Sequence, residues 1–202
     1  MKKIFFITLI LYILLFTGCD SKKGSKTKDL TRGTWINNEF ISEFANLKFN
    51  MPDNWLKGSD DEIAALMGVA VDMLSDRGMK VSGKMLELTT IYDMAAQNPS
   101  NRNSVIFMYE NLAVHIGGSQ FTETFYLERV KEMLDTLEMG YSFSDIRDTA
   151  IAGEIFNTLE TTINNYGFTQ FYHARKIENY MFVIIITVNI GSDGMISCFS
   201  KL

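Results

Sequence analysis

Six consecutive residues, Met181-Phe182-Val183-Ile184-Ile185-Ile186, are apolar without interruption. A strand with one face in water alternates apolar and polar side chains, so a run of this kind belongs to a strand covered on both faces. It is too short for a buried helix and is rich in Val and Ile, whose branched Cβ suits a pleated surface. The sheet that holds it needs one packed layer above and another below. With 47% hydrophobic residues and only 2 prolines in 202, the chain has the material for one such core.

The flanking sequence supplies the neighbours. Phe143–Ala150, Glu154–Asn164, Phe168–Ile177 and Tyr180–Ile190 are strand-like and closely linked, which predicts a four-stranded antiparallel meander. Glu178-Asn179 is its last turn, with Asn179 expected at positive φ. Leu88–Ala96 and Val105–Ile116 read as a hairpin around the polar loop from Asn98 to Asn103, and Gly33–Trp55 as two short strands and a turn. Ser59-Asp60-Asp61-Glu62 is a capping box, followed by Ile63, Leu66, Met67, Ala70, Val71 and Leu74 at helical spacing up to Gly78. A second helix is predicted over Thr122–Glu138 and a third over Ser192–Ser200, packing Met195, Ile196 and Phe199 on the sheet. The order ββ-α-ββ-α-ββββ-α predicts an α+β fold: a largely antiparallel β-sheet with helices on both faces, an α/β/α sandwich.

The first residues are of another kind. Lys2-Lys3 precede an apolar run from Ile4 to Phe16 and then Thr17-Gly18-Cys19. Thirteen residues of helix span about 20 Å, short of the roughly 30 Å hydrocarbon core, so the pattern describes a secretory signal better than a spanning helix. Leu15-Phe16-Thr17-Gly18-Cys19 resembles the bacterial lipobox, with Phe16 where Leu is usual. That resemblance implies a signal peptide over 1–18 and a mature N-terminus at Cys19, its thiol carrying diacylglycerol and its amine palmitate. Two or three acyl chains hold a protein on a bilayer durably, where one does not. Asp20 resembles the signal for retention at the inner of two membranes. The alternative is a short anchor or an ordinary signal in which Cys19 is incidental.

Residues 19–32 read as a flexible basic tether, because Lys22, Lys23, Lys26, Lys28 and Arg32 stand among Gly, Ser and Thr without apolar periodicity. Its reach is near 20 Å. Of 19 basic and 24 acidic residues, 12 basic and 22 acidic lie beyond Arg32, so the single globular domain expected over 33–202 carries a charge of about −10. Such a balance excludes nucleic acid as a partner and argues against an anionic membrane lying on the body.

Chemistry-bearing motifs are few. His115 and His173 fall in predicted strands as polar-face residues, and neither HExxH nor CxxC occurs. Gly117-Gly118-Ser119 can seat an anion at a helix start or simply turn the chain. The pairs Asp60-Asp61 and Asp145/Asp148 fit no calcium loop, and Met67, Met73, Met79 and Met85 cannot share one helix face at a spacing of six. Cys198 reads as a small apolar core residue. No catalytic residue, cofactor or metal is implied.

Phe40, Leu47-Lys48-Phe49-Asn50-Met51-Pro52-Asp53-Asn54-Trp55, the acidic start at Asp60–Glu62, Ile151-Ala152-Gly153 and the closing aromatic hairpin together resemble the PsbP and Mog-type sandwich found in many small bacterial lipoproteins. Asn54 stands where that turn often has Gly. The resemblance implies the fold and a non-enzymatic binding or accessory role; joined to the lipobox-like segment and the tether, it gives the expectation of a module anchored by lipid on the outer, extracytoplasmic face of a bacterial cytoplasmic membrane, with an unidentified protein or small-molecule partner. The rival readings are an envelope hydrolase with a dispersed carboxylate or Ser site, and a small-molecule or stress sensor.

Overall fold

A computed structural model describes residues 29–59, 61–62, 89–115, 117–136, 139–190 and 195–202. The leader, Cys19, most of the spacer, the body of the helix expected after Ser59 and the four evenly spaced methionines lie outside the described residues. Among the described residues the strands are β1 (Thr34–Ile36), β2 (Glu39–Ser42), β3 (Leu47–Asn50), β4 (Leu56–Lys57), β5 (Thr90–Gln97), β6 (Ser104–Asn111), β7 (Tyr141–Phe143), β8 (Arg147–Ile151), β9 (Glu154–Ile163), β10 (Phe168–Ile177), β11 (Tyr180–Asn189) and β12 (Phe199–Lys201). One α-helix, α1 (Glu123–Asp135), stands between β6 and β7, its first turn capped by Thr122 Oγ1, which accepts from the Phe125 amide at 3.2 Å.

Among the described residues every strand pairing is antiparallel, and the strands form two sheets. The larger runs β4-β5-β6-β11-β10-β9-β7, with β8 also on the edge of β9, and the smaller runs β1-β2-β3-β12. β8 to β11 form the expected meander, and β11 lies between β6 and β10. Met181, Phe182, Val183, Ile184 and Ile186 are all at most 1% exposed. Successive residues of β11 point to opposite layers: Phe182, Ile184, Ile186 and Val188 enter one core, Met181 and Val183 the other.

What fills those layers corrects the sandwich with helices on both faces. One layer is closed by α1, through Tyr126, Leu127 and Leu134. The other is closed by the smaller sheet, which sets Phe40, Leu47, Phe49 and Phe199 against Phe107, Phe182 and Ile184 of the larger one. The molecule is mostly antiparallel sheet rather than an α/β/α sandwich. The reason lies in residues 39–50, where Phe40, Leu47 and Phe49 alternate with polar neighbours; a hairpin with one apolar face can itself serve as the second cover.

The helix expected at Ser192–Ser200 is corrected by the same packing. Ile196–Cys198 make a single 3₁₀ turn and Phe199–Lys201 continue as β12, which pairs with β3 in the register Phe199↔Phe49. The Phe199 ring lies 5.4 Å from Phe49 and 6.0 Å from Phe107, stacked on the latter. An open sheet edge with a waiting aromatic pocket outweighs a weak local preference for helix.

Candidate functional site

A buried carboxylate holds the backbone at Gly33, near the first of the described residues. β5 carries a bulge between Tyr92 and Met94, and the extra residue is Asp93, whose side chain is 0% exposed. The Gly33 amide donates to both its oxygens, at 3.0 and 3.2 Å. Arg32 Nε stands 3.5 Å from Oδ1, while its terminal nitrogen donates to the Tyr92 carbonyl at 3.0 Å. Burial pushes the Asp93 carboxyl above the usual aspartate range; the Gly33 amide and the Arg32 charge pull it back. Gly33 is fixed by space: a Cβ there would stand 2.3 Å from Phe40 Cζ and 2.7 Å from the Ile41 carbonyl oxygen.

Across the layer beneath the smaller sheet, side chains line up in rows set by the strand register. One row reads Met94, Phe107, Ile184, His173, Thr158 and Arg147 across β5, β6, β11, β10, β9 and β8. The next includes Ala96, Val105, Ile186, Phe171 and Glu160. Each passes from apolar to polar toward β9. At that end Thr158 Oγ1 lies 2.7 Å from His173 Nδ1, the imidazole stacks on Phe171 at 6.0 Å, and Arg147 pairs with Glu160 at 2.9 Å. His173 is 1% exposed and its Nε2 has no hydrogen-bond partner among the described residues, which corrects its expected place on a polar face. Burial, with a smaller push from the Arg147 charge, lowers the imidazole to about 4.

A second polar group ties three segments together. The Arg175 guanidinium sits 5.1 Å over the Phe156 ring, pairs with Glu154 at 2.9 Å and donates to the Ala45 carbonyl. Lys201 of β12 reaches the same Glu154 at 3.2 Å, and these two cations hold the Glu154 carboxyl below its usual range, the Lys201 hydrogen bond most of all. Nearby, Ser42 and Tyr109 share a 2.7 Å hydrogen bond between their hydroxyls, and burial raises the Tyr109 phenol far above its ordinary value. The contacts of Arg175, Glu154 and Lys201 bind β9, β10, β12 and the segment at Ala45 to one another. The Thr158–His173 couple has hydroxyl and imidazole in contact, but Thr158 is 0% exposed and offers a substrate no approach.

The other residues marked in the sequence are dispersed. His115 Nε2 stands 3.0 Å from a Glu110 oxygen but outside hydrogen-bond geometry. Gly117, at φ +70°, and Gly118 turn the chain, and the Ser119 carbonyl there accepts from Lys176 Nζ at 2.6 Å. Asp148 accepts from Asn157 Nδ2 at 2.6 Å. The Cys198 thiol is free and half-buried, and burial raises its pKa. Cys19 and Asp60 lie outside the described residues. Among the described residues no three His, Cys, Asp or Glu side chains could jointly hold a metal ion. A hollow of about 210 Å³ beside Gly58, Ala95 and Ile106 has Glu62 on its wall, and that carboxylate is engaged with the Ser59 amide at 2.7 Å, while the Glu62 amide bonds back to Ser59 Oγ. Asp93, Arg175 and the Ser42–Tyr109 pair were missed in the sequence. Only Asp93 left a trace there, as a lone acid inside a strand-like run.

No family model matches this chain, and no curated protein does. Its fold is similar to the solution structure of the cyanobacterial PsbP protein (CyanoP) from Synechocystis sp. PCC 6803, which is 8% identical, with a TM-score of 0.48 over 90% of this chain and 98% of that one.

Proposed function

We propose that this protein is a lipid-anchored binding or accessory module, held on the outer face of a bacterial cytoplasmic membrane and without catalysis of its own. The observation that carries the reading is Leu15–Cys19, a lipobox-like segment at the end of a short apolar leader. A basic spacer follows it, and the spacer ends where Asp93 grips Gly33. A load applied through the spacer is thus delivered to a bulge in the larger sheet rather than to a fraying end. The polar groups of the body support a holding role, since Arg175, Glu154 and Lys201 bind segments of the chain to one another. The partner is an unidentified protein or small molecule.

Metabolic labelling with palmitate, combined with mass spectrometry of the mature N-terminus, tests the anchor. The expected product begins at an acylated Cys19, and Cys19→Ser loses the label and leaves the membrane fraction. An unmodified thiol at that position, or label retained by Cys19→Ser, overturns the proposal.

A further inference from the structure

The chain has two tryptophans in different surroundings. Trp55 is 8% exposed, within the core. Trp35 lies on β1, an edge strand of the smaller sheet, two residues after Gly33; it is half-buried, with its ring edge-on to Phe40 at 5.3 Å. Lys57 Nζ stands 4.7 Å from the Trp35 ring centroid and donates to the Asn37 carbonyl, which draws β4 against the turn after β1. The neighbouring residues on these two strands, Ile36 and Leu56, are 54% and 57% exposed.

We propose that this corner, made of Trp35, Ile36, Leu56 and Lys57, rests in the head-group region of the bilayer to which the chain is tethered. The inference depends on the lipid anchor proposed above. Thirteen residues separate Cys19 from Gly33, a root-mean-square reach near 20 Å, so the corner two residues further on is kept in the neighbourhood of the lipid surface. A tether of that length gives an effective concentration in the millimolar range, at which a contact too weak to bind by itself is still occupied. The composition fits the place: tryptophan collects at head-group level, exposed Ile and Leu supply shallow apolar contact, and lysine can bury its stem while its ammonium stays wet. Local charge does not oppose it. Glu39, which faces Ile36 across the hairpin, is paired with Lys48 at 3.2 Å, Arg32 offsets Asp93, and Lys57 adds positive charge at the corner itself.

The test uses the full-length acylated protein with Trp55→Phe, so that Trp35 is the sole tryptophan, bound to phosphatidylcholine vesicles with or without bromine on the acyl chains. Bromine should lower Trp35 emission relative to the unbrominated lipid. Adding Ile36→Gln and Leu56→Gln, both at exposed positions and without placing a second carboxylate opposite Glu39, should abolish that quenching while the protein still floats with the vesicles and melts at an unchanged temperature. Flotation with equal emission in both lipids overturns the inference and leaves the anchor standing, the corner then being open to a protein partner. Failure to float overturns the anchor and this inference with it.

Discussion

Thr158 Oγ1 and His173 Nδ1 meet at 2.7 Å in a layer that water does not reach, while the other ring nitrogen of His173 has no hydrogen-bond partner among the described residues. The imidazole is held neutral there, at about 4, against an ordinary value near 6.5. Between those values the unfolded chain takes up a proton that the folded one refuses. Stability therefore falls as pH drops from about 6.5 to about 4, by roughly 3 kcal/mol in all. Urea unfolding across that range should show the loss in the wild type, and the difference from His173→Phe should isolate it. Equal pH slopes in the two proteins would contradict the assignment.

Gly33→Ala should destabilise the domain by about 1–3 kcal/mol, because the new methyl meets the Ile41 carbonyl, which is backbone and cannot swing away. Thermal melting measures it. Asp93→Ala should cost a comparable amount, since the Gly33 amide loses both acceptors. Hydrogen exchange at that amide should quicken, and unchanged protection would show that Asp93 does not hold it.

Glu178 occupies the left-handed region at φ 52° in the turn between β10 and β11. An exposed residue with a long side chain gains nothing from that conformation, and Asn adopts it more readily. Glu178→Asn should raise stability by up to about 1 kcal/mol, read as a higher melting temperature. A lower one would mean the glutamate makes a stabilising contact.

Phe199→Ala should remove about 3 kcal/mol, because the ring is 7% exposed between Phe49 and Phe107. As β12 loosens, the Cys198 thiol should become more reactive toward maleimide in the folded protein. A labelling rate equal to the wild type would indicate that β12 stays in place without its aromatic anchor.

What the sequence disclosed was whatever neighbouring residues decide among themselves. The unbroken run from Met181 to Ile186 announced a central strand, Ser59 and Glu62 cap one another as their spacing requires, and Asn54 takes positive φ, at 64°, where a glycine would be usual. What stayed hidden depended on distant partners. Residues 196–201 have local features of a helix and become a strand because β3 offers an edge. His173 looked like a surface residue until the smaller sheet covered its layer, a cover that Phe40 and Phe49 create only as a pair of strands. The last turn shows the limit on a finer scale: Asn179 was expected to adopt positive φ, and Glu178 does so instead. Asp93 showed only as a lone acid in a strand-like run, since its role depends on a bulge and on an amide sixty residues earlier.

β1 and β12 are the two outer strands of the smaller sheet, so segments from near the start of the body and from residues 199–201 border one assembly. The smaller sheet is therefore incomplete until Phe199 reaches β3, and the aromatic layer it shares with Phe107 and Phe182 can close only when residues on both sides of the meander have come together.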